Sequence, residues 1–228
     1  MPSKINNAAP AALCMFDLDG TLVNTVDAIV LNANRARVLL GFSERPVAEL
    51  AELVGLNPVH FFSDLNVSKE KIDILVNLFR ENLNLHSFGY ADVYPGVRDI
   101  LDLLASSNFQ LAIATNKPTD NAKLLLQKVG LLNRFSHVQG SENLPSKPAP
   151  DILIACRTHF GSMPTIMVGD RVEDVLAGTQ AGFTTVGIAQ TAHSIRQFRG
   201  VNADFAFNNM KSLLFFLESD DGLVKLQL

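Results

Sequence analysis

Histidine and cysteine are too few and too scattered in this chain to build a soft-metal centre. Only two of the 228 residues are cysteines, Cys14 and Cys156. Both lie inside apolar patterns, which excludes a thiolate metal site and reads as reduced core residues of a cytoplasmic protein. The five histidines, His60, His86, His137, His159 and His193, show no metal-ligand spacing. The chain also lacks an excess of either charge: nineteen Lys and Arg against twenty-three Asp and Glu give −4. No basic stripe for nucleic acid and no polybasic membrane patch is therefore expected, which leaves small molecules as partners. No apolar run approaches the length that a transmembrane helix needs. The stretch before Asp17 holds nothing long enough for a signal-peptide apolar region, and there is no internal repeat or low-complexity tract. What is present is a composition 47% apolar, ample for one large domain or two unequal ones.

Short apolar runs at Ala11 to Phe16, Gln110 to Thr115, Thr165 to Gly169 and Thr184 to Ile188, with a weaker one at Asp204 to Phe207, are strand candidates. Between them the apolar period becomes helical. Val97, Ile100, Leu101 and Leu104 share one face, as do Ala122, Leu125, Leu126 and Val129, then Ile152, Leu153 and Cys156. Alternating strands and helices predict an α/β fold, a Rossmann-like three-layer core with a parallel sheet covered on both faces. Gly130 and Gly182 fall where helix C-caps belong, and Pro95, Pro118 and Pro150 fall near helix starts.

From Thr25 to about Gly89 the alternation stops. Only helical faces occur there: Val26, Ile29, Val30 and Ala33; then Val47, Leu50, Ala51 and Val54; then Ile72, Leu75, Val76, Phe79 and Leu83 behind Ser68, a fitting N-cap. This is an inserted α-helical unit, residues 25–92, with 1–24 and 93–228 forming the core. The two crossings near Thr25 and near Tyr90 to Gly96 make a hinge.

In an open α/β sheet the ligand site lies at the carboxyl ends of the strands. After the first run come Asp17 and Asp19. After the second come Thr115, Asn116 and Lys117, and after Gly169 come Asp170 and then Asp174; Lys147 sits among prolines just before another helix. Each alone has an ordinary explanation: a solvated turn, a helix cap, a turn acid, a surface lysine. Together they converge on one edge of one sheet. Carboxylates, a hydroxyl and an ammonium, with no histidine or cysteine, suit Mg²⁺, which takes one or two carboxylates and completes its shell with water and substrate phosphate. The lysine and the backbone N–H groups around Thr115 and Asn116 would hold the other phosphate oxygens.

In order and spacing, Asp17-Leu18-Asp19-Gly20-Thr21, Thr115-Asn116, Lys147-Pro148 and Gly169-Asp170 with Asp174 resemble the four motifs of the haloacid dehalogenase-like hydrolase superfamily. The inserted helices are similar to that superfamily's small helical cap, and the layout is most similar to phosphoglycolate phosphatases and related small-phosphate phosphatases. The resemblance implies a Mg²⁺-dependent phosphatase acting on a small phosphorylated metabolite through an aspartyl-phosphate. Asp17 is then the nucleophile and Asp19 the general acid/base. Thr115, Asn116 and Lys147 bind phosphate, Asp17, Asp19 and Asp170 serve the metal, and Asp174 supports it through water and Lys147. The second carboxylate distinguishes phosphatases from the dehalogenase and phosphonatase branches. A phosphosugar mutase shares these parts. A phospho-accepting receiver module also uses aspartate, metal, threonine and lysine, but places its acceptor later in the chain and lacks a cap. Asn24, Thr25 and Arg171 stand where relatives often carry aspartate, serine, and serine or threonine; Arg171 at the site mouth is expected to bias leaving-group choice. By resemblance, the segment from Gly55 to Phe62 is a specificity loop whose Phe61 and Phe62 face the site.

Overall fold

In the four main strands apolar residues predominate because both faces of each strand are covered. These are β1 (Leu13–Phe16), β4 (Gln110–Ala114), β6 (Thr165–Gly169) and β7 (Thr184–Ile188). The computed structural model describes residues 12–63, 65, 67–86, 91–189 and 195–226. Ala11, the Leu83 and His86 side chains, Gly89, Tyr90 and His193, all named above, lie outside that description. Two edge strands, β5 (His137–Gln139) and β8 (Phe205–Phe207), complete a six-stranded parallel sheet in the order β5-β4-β1-β6-β7-β8.

The period-two geometry of a strand sends alternate side chains to opposite faces. Ala12, Cys14 and Phe16 join one apolar cluster together with Leu111, Ile113, Ile166 and Val168. Leu13 and Met15 join another with Ala112, Ala114 and Met167. The first face is covered by α5 (Val97–Ser106), α6 (Thr119–Lys128) and α10 (Met210–Leu217). The second is covered by α7 (Asp151–Thr158) and α8 (Val172–Ala181). The short α9 (Ile195–Gly200) and α11 (Gly222–Leu226) complete the chain's helices on the core. This is the α/β three-layer arrangement that the alternating pattern predicts. Gly182 is the C-cap of α8, whereas α6 is capped by Val129 with Gly130 one residue beyond; both glycines have positive φ.

The inserted cap consists of α1 (Val26–Leu39), α2 (Val47–Glu52), α3 (Pro58–Ser63) and α4 (Lys69–His86). It has an apolar cluster of its own, which includes Ile29, Leu50, Phe62, Leu75 and Phe79. Chain exit and return are stitched together by a two-stranded antiparallel ribbon, β2 (Val23–Asn24) with β3 (Asp92–Val93), pairing Val23 with Val93 and Asn24 with Asp92. Neither this ribbon nor β5 has an apolar run to announce it: within His137-Val138-Gln139 only Val138 is buried. The segment after Gly55 is in part helical, as α3. Phe62 is fully buried inside the cap, edge-on to Phe61 at 5.2 Å and to Phe79 at 5.6 Å between ring centres. It therefore does not face the site as expected, whereas Phe61 does line the cleft. Because Phe62 is fully buried in the cap's apolar cluster, Phe62→Ala is expected to cost about 3–5 kcal/mol in urea unfolding. A loss below about 1 kcal/mol would mean that the ring is not a structural centre.

Candidate active site

The site forms where the sheet changes direction. From β1 the chain builds outward to β4 and β5 on one side and to β6, β7 and β8 on the other, leaving a crevice at the strands' carboxyl ends. Register brings the motifs level, because Phe16 lies opposite both Ile113 and Val168. The next residues out of the sheet are therefore neighbours. The Asp17 N–H donates to Val168 O at 2.9 Å and the Thr115 N–H to Gln139 O at 3.0 Å.

Asp17, Asp19, Asp170 and Asp174 are all buried, with exposures of 2 to 7%. Burying four carboxylates requires compensation. Lys147, itself buried, donates from Nζ to Asp17 Oδ1 at 2.7 Å, Asp174 Oδ1 at 2.5 Å and the Ala114 carbonyl at 3.0 Å. Burial works against this ammonium, but the two carboxylates outweigh it and hold its pKa above the usual lysine value. Asp19 is held elsewhere, accepting from Thr25 Oγ1 at 2.7 Å and pairing with Lys117 Nζ at 2.9 Å. Asp170 accepts from Thr21 Oγ1 at 2.7 Å.

Two glycines make room for these acids. A Cβ at Gly20, whose φ is +85°, would lie 2.4 Å from Asp170 Oδ2, and one at Gly169 would lie 2.2 Å from Asp174 Oδ2. At both places the backbone approaches a carboxylate, at Gly20 that of a different motif, more closely than a side chain permits. Asp174 also accepts the Arg171 N–H at 3.1 Å, fixing the first turn of α8.

Four carboxylates facing two lysines leave the site short of positive charge. Oxygens of Asp17, Asp170 and Asp174 lie within 4.8 Å of one another, a donor set that suits a hard divalent cation. Asp19 stands apart from this set, and Asp174, expected to act through water and Lys147, has its carboxylate inside it. Burial pushes the Asp17 carboxyl up to about 6; Lys147 pulls it down, while Asp174 and Asp19 push it further up. Burial first, then Asp170 and Asp19, also raise the Tyr94 phenol to about 12, so a neutral hydroxyl stands at the return crossing.

Thr115 Oγ1 accepts the Lys117 N–H at 3.3 Å, which leaves its own hydrogen to donate. The Asn116 carboxamide joins core to cap: its oxygen accepts the Lys147 N–H at 2.9 Å and its nitrogen reaches the Gly55 carbonyl at 3.5 Å. Asn57 Nδ2 donates across the same gap to Ser146 Oγ at 2.9 Å. Arg171, expected to bias the leaving group, is instead spent on the cap. Its Nη1 donates to the carbonyls of Val54 at 2.6 Å and Glu52 at 3.2 Å, and its Nε to Glu173 at 3.2 Å. Between cap and core lies a cleft, with Asp17, Asp19 and Thr115 on the core side and Ile29, Phe61 and Arg80 on the cap side. Of these residues the motifs do not single out Arg80, whose basic side chain follows the apolar position Phe79.

A family model for haloacid dehalogenase-like hydrolases matches residues 14–188. A phosphoglycolate phosphatase from Haemophilus influenzae is 30% identical over 216 residues, covering 89% of this chain and 96% of that one. Among solved structures, a predicted phosphoglycolate phosphatase from Haemophilus somnus superposes with a TM-score of 0.79 at 25% identity, covering 90% of this chain and 97% of the other. A predicted phosphatase from Clostridium acetobutylicum reaches a TM-score of 0.83 at 22% identity, covering 91% and 98%; at that identity the likeness concerns the fold.

Arg171→Ala removes the charged donor that ties the cap's main chain to the core. Amide hydrogen exchange in residues 52–57 is expected to accelerate on the order of tenfold, about 1.4 kcal/mol, with the sheet's exchange unaltered. Equal exchange in both proteins would show that this contact does not hold the cap.

Proposed function

Because the chain belongs to the haloacid dehalogenase-like hydrolases and is a phosphatase, we propose that it hydrolyses a small phosphate monoester, phosphoglycolate first among candidates, with Mg²⁺ and an aspartyl-phosphate formed on Asp17. The observation carrying this reading is the cluster of Asp17, Asp170 and Asp174 oxygens beside Lys147 at the mouth of a capped cleft. Residues 25–92 act as the closing cap and 1–24 with 93–228 as the catalytic core. Among the described residues no helix is long and apolar enough to cross a membrane; a cytoplasmic location and a small metabolite as partner belong to the same proposal.

Asp17, Asp170 and Asp174 would hold the cation, which when bound neutralises carboxylate and phosphoryl charge. The Asp19 carboxylate is engaged by Thr25 and Lys117 and stands outside that set. Thr115, the N–H groups about Asn116, and Lys147 hold the phosphoryl oxygens. An Asp17 oxygen attacks phosphorus and the bond to the leaving oxygen breaks. Asp19, oriented by Thr25 and Lys117, gives that oxygen a proton. After the alcohol leaves, Asp19 takes a proton from the water that attacks the aspartyl-phosphate, releasing inorganic phosphate and restoring Asp17.

Phosphate monoesters hydrolyse so slowly unaided that enzymes accelerate the reaction by up to ~10²¹-fold, whereas acid/base catalysis is worth roughly 10²–10⁴-fold. Most of the barrier must therefore be removed by charge complementarity and in-line positioning. Both need a dry site, which is the part the cap plays.

Three measurements test this. Phosphate release from a panel of phosphoglycolate, sugar phosphates and nucleoside monophosphates is expected to favour phosphoglycolate; isomer exchange without release would instead favour a mutase. Asp17→Asn is expected to lower kcat by roughly 10⁵-fold with an unchanged circular dichroism spectrum, and near-normal turnover would remove Asp17 from the nucleophile's place. Adding Mg²⁺ at a hundredfold excess over its Kd is expected to raise folding stability by about 2.7 kcal/mol, and Asp170→Asn to suppress that rise. The same rise in the variant would place the metal elsewhere.

A further inference from the structure

Arginine cannot shed its charge, so a buried guanidinium nitrogen without a partner is costly and calls for an explanation. Among the described residues three arginines carry such a nitrogen: Arg37 at Nη1, Arg80 at Nε and Arg157 at Nε. Two of them lie over aromatic rings, Arg37 over Phe42 at 5.4 Å and Arg157 over Phe183 at 5.5 Å. Among the described residues Arg80 has no such ring and no carboxylate in salt-bridge reach, and it is the one of the three that lines the catalytic cleft.

The two cations on the core side lie among the catalytic carboxylates. Lys147 is shared by Asp17 and Asp174, and Lys117 pairs with Asp19. Arg80 enters from the opposite wall, on α4, among Ile29, Leu56, Phe61 and Phe79. Apolar walls strengthen the attraction between a cation and an anion that enters beside it. With the transferred phosphoryl group seated on the core side, the cap wall is the one that meets the leaving group.

We infer that Arg80 binds a second, non-transferred anionic group on the substrate, so that the preferred esters carry a carboxylate or another phosphate a short distance from the scissile bond. This deepens the small-ester reading above and rests on it. The guanidinium fork suits either anion, bidentate where geometry permits. The cap thereby becomes a charge filter: neutral-tailed esters leave the Arg80 Nε buried and unpaired on closure, and pay for that in kcat/KM.

The test compares wild type, Arg80→Ala and Arg80→Lys on three esters: phosphoglycolate, ethylene glycol bisphosphate and the neutral-tailed ethyl phosphate. Wild type is expected to prefer one of the anionic esters, and which one identifies the anion. In Arg80→Ala the ratio of kcat/KM for that ester to kcat/KM for ethyl phosphate is expected to fall by about 30- to 100-fold. Arg80→Lys, a point charge in place of a fork, should restore the ratio in part. A ratio that stays constant in Arg80→Ala, whether both activities persist or both fall together, overturns the inference while leaving the phosphatase reading intact. So does a wild type indifferent to the tail. No phosphate release from any of the three would sink the small-ester reading, and the role of Arg80 with it.

Discussion

Everything at this sheet edge depends on one ammonium group. Lys147 Nζ lies 2.7 Å from Asp17 and 2.5 Å from Asp174, in a place where all three side chains are shut away from water. Two carboxylates this close repel, and burial raises the cost of ionising either; a single lysine between them is what permits the arrangement. Its third donor, to the Ala114 carbonyl, ties the cation to the end of a central strand, so the charges are positioned by the sheet and not by a loop. The remaining acids then have defined places, Asp170 against Gly20 and Asp19 against Lys117. The charge still unbalanced suits the Asp17, Asp170 and Asp174 cluster to a divalent cation.

The cap completes what the core begins. Its ties to the core run largely through its own backbone: the carbonyls of Glu52, Val54 and Gly55 accept from Arg171 and Asn116, with Asn57 to Ser146 as the side-chain link. Several of these contacts start from residues that also organise the chemistry. Asn116 holds the Lys147 main chain while it reaches for Gly55, and the Arg171 N–H is held by Asp174 while its side chain grips the cap. Cap contacts and site order thus share side chains, and the antiparallel ribbon at Val23 and Val93 holds both crossings side by side.

Much of the fold was legible because buried parallel strands and amphipathic helices leave strong periodic marks. Apolar runs locate β1, β4, β6 and β7, and helical faces locate α5, α6 and α7. The failures share a physical cause. β5 is three residues long with one buried side chain, and the β2–β3 ribbon is two residues deep, so neither needs apolar patterning to form. Phe62 could not be assigned a direction from the sequence, because which side of a short helix faces the cleft depends on how four cap helices pack. The motif residues do converge, since a parallel sheet delivers every loop after a strand to the same edge. The partners that orient them, Thr21, Thr25 and Lys117, sit inside or beside the motifs with no separate signal. Arg171 illustrates the limit most clearly: its position near the site follows from the chain, but its commitment to cap carbonyls is a matter of three-dimensional reach.

In the mechanism proposed above the phosphoryl group rests on Asp17 in mid-reaction, and that intermediate can be looked for directly. Rapid acid quench during turnover of phosphoglycolate, followed by mass spectrometry of the digested protein, is expected to find one phosphoryl group on the peptide containing Asp17. It should rise before steady state and vanish as substrate is exhausted. Steady release of phosphate with no phosphorylated peptide at any quench time, or with the group on a different residue, would contradict the assignment of Asp17 and with it the reading of the whole carboxylate cluster.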